Sequence, residues 1–327
     1  MEYTVLGRSG LKVSRVGLGT WQFSEAWGVL DYGRARDIVL KAVELGVNFF
    51  DTAMAYGLGL SESFLGRALR EGGVRRDEVV VCTKIPGEFL NPVDVPIAVD
   101  KSLKLLGLNY VDVLLAHWPP CWHHYPTCSY ARAMERLVRL GRVKHLGLSD
   151  FPVELVEAFR ECLSREDIVV LQVRYNLVER WAEAELLPYA EKHGLSVMAW
   201  SPLARGALTG KYGLNDLAKL QDVRAKDPLF HPKNYMEVMK VAEALKEVGS
   251  RYGKTAAQVA INWLIMSSPA VIPIPGAKTP TQVEWNAGST GWRMSYDDWR
   301  FLDDVSRGVA IKYSIWYWES RPCSKQG

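Results

Sequence analysis

The chain has 327 residues, 48% of them hydrophobic and 24% charged, and a formal net charge of +3. These values are typical of a soluble globular protein with a large core, and the small, dispersed charge argues against a nucleic-acid-binding surface. The opening segment MEYTVLGRSG lacks the apolar core of a secretion signal, and no uninterrupted apolar run reaches membrane-span length. We therefore expect a cytoplasmic protein with neither a nucleic-acid nor a membrane partner.

Strand-like and helix-like segments alternate along the chain. Short, mostly apolar runs predict eight strands, near residues 15–20, 47–51, 79–84, 110–116, 145–148, 168–173, 195–200 and 271–274. Helices are predicted between and after them, near 34–45, 62–71, 95–106, 130–140, 153–161, 181–193, 235–251, 255–267 and 280–288. Single helices between strands imply parallel pairing, and eight such strands favour a closed (β/α)8 barrel. We predict one domain spanning residues 1–327, and the lack of a Gly-x-Gly-x-x-Gly motif before the first helix argues against a Rossmann domain.

Two long loops interrupt this alternation of strands and helices and are the expected sites of ligand contacts. The first, residues 118–129, directly follows His117, and the second, residues 201–234, follows the seventh predicted strand. In barrel enzymes, the loops at the C-terminal ends of the strands carry the ligand-binding residues.

Four polar side chains that could together transfer a proton lie at or just past predicted strand ends. Asp51 and Tyr56 follow NFFDT, Lys84 ends VVVCTK, and His117 ends VDVLLAH. In a closed parallel barrel these ends converge on one face. There, the tyrosine could act as an acid whose pKa the lysine lowers, while the aspartate holds the lysine and the histidine orients a substrate oxygen. Lys84 could instead be an ordinary surface cation, but a lysine closing an apolar run needs a partner.

An ordered set of motifs resembles the aldo-keto reductase family. The set comprises GLGTWQF, NFFDTAMAYG, SESFLGRAL, VVVCTK, VDVLLAHWP, GRVKHLGLSDF, LQVRYN, WSPLARGALTGKY, TAAQVAINWL and VIPIPGAKTPTQVEWNAG. The resemblance implies an α/β fold, a (β/α)8 TIM barrel with an N-terminal β-hairpin and an extra C-terminal helix or tail. It also implies an oxidoreductase that reduces aldehydes or ketones to alcohols reversibly. Tyr56 would then be the general acid, Lys84 and Asp51 would tune it, and His117 would orient the carbonyl.

The expected cofactor is a nicotinamide dinucleotide, because these four residues supply protons but no hydride. By the resemblance, Lys278 would meet the 2′-phosphate of NADP(H), with Gln282 and Asn286 bordering the adenosine. Ser149 and Gln172 would hold the nicotinamide carboxamide, and Trp200 would stack on its ring. The full set of expected cofactor-binding positions is Gly19, Thr20, Trp21, Ser149, Asp150, Gln172, Trp200, Ser201, Leu203, Gly206, Lys211, Gly276, Lys278, Gln282 and Asn286.

Three departures from the family pattern bear on this cofactor. Asp150 stands where the family usually has asparagine, and a carboxylate cannot donate to the carboxamide oxygen. Trp285 replaces an acidic residue that often contacts the adenine. Lys278 replaces an arginine common in related branches, which keeps the charge but loses bidentate phosphate recognition. NADP(H) is therefore favoured, while NAD(H) stays possible.

Large aromatic side chains flank the predicted strand ends and suggest an uncharged aldehyde or ketone as the substrate. Trp21, Trp118 and Trp122 are the expected pocket walls, and Phe23, Trp27 and Met54 are further candidates that are more typical of ordinary packing. The aromatic tail IKYSIWYWESRPC could close over the pocket, pack under the barrel or form a subunit contact. Substrate, physiological direction and oligomeric state stay open.

Five cysteines are too few for a disulfide scaffold, although the sequence leaves open a disulfide between Cys121 and Cys128. The segment CWHHYPTC also holds His123 and His124, but its spacing does not match zinc motifs, so we expect no bound metal. Two alternative functions remain. One is an NADP-binding regulatory module on the same fold with slow or no turnover, and the other is a barrel hydrolase that binds a metal through His117, His123 and Cys121.

Overall fold

The structure is a computed structural model that describes residues 1–28, 30–120 and 123–311. It begins with an antiparallel hairpin of β1 (Tyr3–Val5) and β2 (Lys12–Ser14). Eight parallel strands follow in chain order: β3 (Leu18–Gly19), β4 (Phe49–Asp51), β5 (Val80–Ile85), β6 (Val111–Ala116), β7 (Val143–Ser149), β8 (Ile168–Arg174), β9 (Ser196–Trp200) and β10 (Val271–Pro273).

The first and last strands meet and close the sheet into a barrel. The N–H of Gly17 donates to the carbonyl oxygen of Pro273 at 2.9 Å, and the N–H of Gly19 donates to that of Pro275 at 3.1 Å. The predicted (β/α)8 fold and its N-terminal hairpin are thereby confirmed.

Helices surround the strands. Their bounds are α1 (Tyr32–Glu44), α2 (Leu60–Glu71), α3 (Asp94–Leu106), α4 (Thr127–Arg139), α5 (Val153–Cys162), α6 (Leu186–His193), α7 (Leu214–Leu217), α8 (Pro232–Tyr252), α9 (Ala256–Ser267), α10 (Pro280–Ala287) and α11 (Tyr296–Arg307). The helix predicted over 181–193 divides into a 3₁₀ turn and α6, because Pro188 is tolerated only in the first turn of a helix. The extra C-terminal helix is α11. Its N-cap is Ser295, whose side chain accepts from the N–H of Asp298. Among the described residues, the helices are too short or too polar to cross a membrane.

The hairpin closes the N-terminal end of the barrel. Leu6 and Val13 are fully buried and pack with Phe49 and Cys82 inside the strands, and the N–H of Gly7 donates to Ser196 Oγ at 2.7 Å. The opposite, C-terminal end, where the two long loops lie, is therefore the end that a ligand can approach.

A disulfide joins Cys128 at the start of α4 to Cys162 at the end of α5. The two helices pack side by side, with the rings of Tyr130 and Phe159 5.7 Å apart, and this brings the two cysteine Cα atoms to 4.8 Å. The Cys121–Cys128 pairing that the sequence left open is therefore wrong. Cys121 itself lies outside the described residues, and Cys82 is a buried free thiol.

Candidate active site

Lys84 lies at the centre of the polar cluster at the C-terminal end of the barrel. It is fully buried in β5, and its ammonium donates to Asp51 Oδ2 at 2.7 Å, to the carbonyl oxygen of Thr52 at 2.8 Å and to Tyr56 Oη at 3.0 Å. These three bonds use all three ammonium hydrogens. Because the Tyr56 oxygen accepts from Lys84, the phenol proton stays available for a further acceptor.

The pKa shifts show which of these groups hold a proton. Burial raises the pKa of Tyr56 to about 12, with the Lys84 ammonium opposing this rise and the charges of Asp51 and Asp150 adding to it. The sequence predicts a lowered pKa for this tyrosine, but burial outweighs the ammonium. Burial alone would lower the pKa of Lys84, yet the charge and hydrogen bond of Asp51, with contributions from Tyr56 and Cys82, together outweigh it, and the pKa is raised. At neutral pH the cluster therefore contains a protonated phenol and an ammonium.

His117 directly follows β6, and its ring centroid lies 5.6 Å from that of Tyr56. Burial and the charge of Lys84 hold its pKa well below the ordinary value of 6.5. Its Nδ1 atom is buried and makes no hydrogen bond within the described part of the chain. The ring is therefore a neutral imidazole, which can donate one N–H to a substrate oxygen beside Tyr56.

The residues expected at the carboxamide lie together at the ends of β7, β8 and β9. Ser149 is the register partner of Gln172, and its hydroxyl is buried without a hydrogen bond among the described residues. The amide nitrogen of Gln172 donates to Asp51 Oδ1 at 2.8 Å, which links this group to the proton-transfer cluster. Trp200 Nε1 donates to Asp150 Oδ1 at 3.1 Å.

The loop after β3 forms the next part of the rim. Here Thr20 is buried, with its hydroxyl donating to the carbonyl oxygen of Asp51 at 2.9 Å, while the Trp21 ring lies 6.3 Å from that of Tyr56. A Cβ atom on Gly19 would lie 2.8 Å from the carbonyl oxygen of Ile274. Likewise, a Cβ on Gly276 would lie 1.7 Å from the Gln22 side chain. Gly19 is thus required for the close approach of β3 to the segment after β10, whereas at Gly276 the end of the flexible Gln22 side chain fills the space.

Lys278 lies between β10 and α10. Its ammonium donates to the carbonyl oxygen of Trp27 at 2.8 Å and lies 3.6 Å from Asp222, and burial lowers its pKa. Its backbone N–H donates to Gln282 Oε1 at 2.7 Å. The amide of Asn286 donates to the carbonyl oxygen of Gly276 at 3.3 Å, which places both amides beside the helix start.

Residues 201–231 form a long segment between β9 and α8. Ser201 has a φ of 49° and Gly206 a φ of 89°, which give the turn its left-handed backbone, and Leu203 lies between them, partly buried against the core. Lys211 is exposed, with its ammonium 5.7 Å from the Tyr212 ring centroid. The structure therefore places these four residues along one segment, with Lys211 on its outer side.

Charged residues that the sequence reasoning did not select hold this segment against the rim. Arg205 lies over the Trp21 ring, at 5.5 Å, and forms an ion pair with Asp227. Asp227 is also 3.3 Å from Arg174, a fully buried residue that lies 5.4 Å from the Trp200 ring centroid. Arg174 ends the mostly apolar run IVVLQVR much as Lys84 ends VVVCTK, so the same reasoning could have found it.

The expected pocket walls differ in how the structure places them. Trp118 lies against His117, with 4.2 Å between ring centroids, and its Nε1 donates to Glu88 Oε2 at 3.2 Å. Phe23 and Met54 pack in the core instead, and Trp122 lies outside the described residues. The walls that remain are Trp21 and Trp118, on either side of Tyr56 and His117.

The CWHHYPTC segment gives little support to a metal site. Cys128 is bonded to Cys162, and the His123 ring stacks on Tyr125 at 5.3 Å. Within residues 1–28, 30–120 and 123–311, no three potential metal ligands cluster together.

Comparison with known proteins agrees with this fold. The model of the Aldo/keto reductase family matches residues 15–307. The Bacillus subtilis aldo-keto reductase YhdN is 32% identical over 315 residues, which cover 93% of each chain. Among solved structures, the glycerol dehydrogenase of Gluconobacter oxydans superposes with a TM-score of 0.83 at 29% identity, over 95% of this chain and 97% of its own.

A second solved structure is that of an aldo/keto reductase from Klebsiella pneumoniae in complex with NADP and acetate. It superposes with a TM-score of 0.73 at 27% identity, over 94% of this chain and 96% of its own. The family match extends over most of the chain and includes every strand of the barrel. The chain belongs to the aldo/keto reductase family of oxidoreductases.

Proposed function

We propose that this protein reduces aldehydes or ketones to alcohols, reversibly, with NADP(H) as the hydride carrier and Tyr56 as the proton donor. The observation that carries the proposal is the Lys84 ammonium, which bridges the Asp51 carboxylate at 2.7 Å and the Tyr56 oxygen at 3.0 Å. Burial keeps a proton on Tyr56 at neutral pH, and the Lys84 ammonium offers a cation to the phenolate that is left when the proton departs.

His117 and Tyr56 would hold the substrate oxygen between them. The neutral imidazole can donate an N–H to the carbonyl oxygen, and Tyr56 can then transfer its proton to the same atom as the hydride reaches carbon. In the oxidative direction Tyr56 would take the proton back from the alcohol. Its pKa of about 12 keeps the phenol protonated at neutral pH, which is the form that the reductive direction starts from.

The residues after the C-terminal ends of the strands fit a bound NADP(H), which would supply the hydride. Ser149 has a buried hydroxyl free to donate to the carboxamide, and Trp200 offers a partly buried ring against which the nicotinamide can stack. Lys278, beside the N-terminus of α10, offers a cation to the 2′-phosphate, and the NADP in the Klebsiella relative supports the same assignment.

The substrate would be a small aldehyde or ketone with little charge, bound between Trp21 and Trp118. Both rings lie beside the proton-transfer groups, Trp21 at 6.3 Å from Tyr56 and Trp118 at 4.2 Å from His117. Aromatic walls bind apolar carbonyl compounds and exclude water from the reacting atoms.

The test is a titration of NADPH and NADH by quenching of tryptophan fluorescence on wild type, Lys278→Met and Lys226→Met. Lys226 is an exposed lysine of the long segment 201–231 and serves as the control. Lys278→Met should weaken NADPH binding roughly tenfold or more, as expected for a lost charge-assisted hydrogen bond, and leave NADH binding almost unchanged. Lys226→Met should bind both nucleotides like the wild type. If neither nucleotide binds to the wild type, the proposed function is wrong.

A further inference from the structure

A network of buried hydroxyl groups lies at the base of the segment that carries Tyr56. Thr20 follows β3, Thr52 follows β4 and Ser61 lies in the first turn of α2, and all three are fully buried. The Ser61 hydroxyl donates to the carbonyl oxygen of Thr20 at 2.9 Å. It also forms hydrogen bonds with the hydroxyls of Thr20 at 2.7 Å and Thr52 at 3.0 Å. Ser61 therefore joins the ends of two neighbouring strands to the start of the helix.

The hydrogen bond between Thr52 and Ser61 closes the base of this segment, because Tyr56 lies between the two residues in the chain. Thr52 also contacts the proton-transfer cluster directly, since its carbonyl oxygen accepts from the Lys84 ammonium at 2.8 Å. Through its hydroxyl, Thr52 thus bonds to the base of the Tyr56 segment, and through its carbonyl it bonds to the cation that faces the Tyr56 oxygen.

The tip of the segment has a strained backbone. Gly57, Leu58 and Gly59 follow Tyr56 with φ angles of 60°, 55° and 98°, which are all left-handed. Leucine adopts this conformation only where the surrounding structure fixes the backbone. The Leu58 side chain is 86% exposed and supplies little packing of its own. The hydrogen bonds at the base of the segment are therefore well placed to hold the tip, and Tyr56 with it.

Packing alone does not require hydroxyl groups at these positions. Valine has nearly the shape of threonine, and alanine differs from serine by one oxygen atom, so apolar side chains would fill almost the same space. A buried hydroxyl lowers stability unless it is hydrogen-bonded, whereas a fully bonded network of such groups holds its members in one arrangement. Hydroxyls at these positions thus add orientation rather than volume.

We propose that Thr52 and Ser61 are positioning residues, whose hydroxyls keep Tyr56 at its 3.0 Å distance from Lys84. Neither residue touches the reacting atoms. In the reduction, the O–H bond of Tyr56 breaks and an O–H bond forms on the substrate oxygen as the hydride of NADPH reaches carbon. The phenolate left behind is stabilised by the ammonium, and this attraction weakens with distance. The inference rests on the function proposed above.

The experiment measures a single turnover of prebound NADPH with para-nitrobenzaldehyde, together with the dissociation constant of NADPH. Thr52→Val removes the hydroxyl and keeps the shape, and it should slow the turnover on the order of tenfold. Thr52→Ser loses a methyl group but keeps the hydroxyl, and it should keep most of the wild-type rate. Ser61→Ala should be slowed like Thr52→Val. The affinity for NADPH should stay at the wild-type value in all three variants.

Ser14→Ala is the matched control. Ser14 is an equally buried serine at the opposite end of the barrel, where its hydroxyl donates to the carbonyl oxygen of Val16 at 2.8 Å. Like Ser61→Ala, this variant should lower the thermal stability, because a buried hydrogen bond is lost. It should leave the single-turnover rate unchanged. If Ser61→Ala does not fold, the comparison of Thr52→Val with Thr52→Ser decides alone.

Wild-type rates in folded Thr52→Val and Ser61→Ala would overturn the inference, and so would an equal loss of rate in Thr52→Val and Thr52→Ser. If Ser14→Ala is slowed as much as Ser61→Ala, the rate follows stability alone and the inference is wrong. A wild type that does not oxidise prebound NADPH with this aldehyde is a different result, which would contradict the proposed function and this inference with it.

Discussion

Breaking the Cys128–Cys162 disulfide should destabilise the protein by an amount that follows from its position in the chain. The two cysteines are 34 residues apart, and a cross-link that closes a loop of this length removes unfolded-state entropy worth roughly 4 kcal/mol at ~25 °C. In a chain of 327 residues this corresponds to a fall in Tm of roughly 6 °C. The loss should arise mainly in the unfolded state, because α4 and α5 also pack through Tyr130 and Phe159.

Thermal unfolding with and without a thiol reductant measures this contribution. The Tm of the wild type should fall by about 6 °C on reduction, and the double variant Cys128→Ala/Cys162→Ala should not show this fall. Cys82→Ala removes the buried free thiol and should keep the full fall in Tm on reduction, even if the lost packing lowers its stability. An equal response to the reductant in the wild type and in the double variant would refute the reasoning.

Two further predictions concern buried charges. Although burial raises it, hydrogen bonds from the backbone N–H groups of Arg165 and Ser164 bring the pKa of Glu135 down to about 2, from an ordinary value of 4.5. A carboxylate with a lowered pKa stabilises the folded state above its unfolded pKa. Glu135→Gln should therefore lower the free energy of unfolding by roughly 1–3 kcal/mol near neutral pH. In urea unfolding experiments, this difference from the wild type should shrink as the pH falls from 4.5 towards 2. An equal difference at pH 7 and pH 2 would contradict this. Arg174→Met removes the guanidinium that lies 2.6 Å from the buried Glu179 carboxylate and should cost about 3–5 kcal/mol. In denaturant titrations, the double variant Arg174→Met/Glu179→Met should recover much of that lost stability. If it recovers none, the uncompensated Glu179 carboxylate is not the cause of the loss.

The sequence predicts the barrel well because the alternation of strands and helices is visible in short, local patterns of apolar residues. Short apolar runs such as VVVCTK and VDVLLAH mark strands buried on both faces, and each is followed by a helical pattern. Lys84 illustrates how a site residue can be found the same way, since a cation at the end of such a run must meet an anion. In the structure that anion is Asp51, with 2.7 Å between the charged groups.

Features that depend on distant packing could not be predicted. Cys128 pairs with Cys162 because α4 and α5 lie side by side, a proximity that no spacing in the sequence encodes. The pKa of Tyr56 rises because burial outweighs the adjacent ammonium, and the balance of these two effects needs the three-dimensional environment. Likewise, Arg205 meets both Trp21 and Asp227 only because the long segment after β9 folds back over the rim.

The most direct test of the central claim, that Tyr56 donates the proton, compares wild type and Tyr56→Phe in a single turnover of prebound NADPH with para-nitrobenzaldehyde. The account predicts that Tyr56→Phe binds NADPH as the wild type does, because the ring is kept, and oxidises it ~10²–10⁴-fold more slowly, the usual contribution of general acid catalysis. Equal rates in the two proteins would contradict it and would favour the alternative of a nucleotide-binding module whose slow turnover does not use this tyrosine.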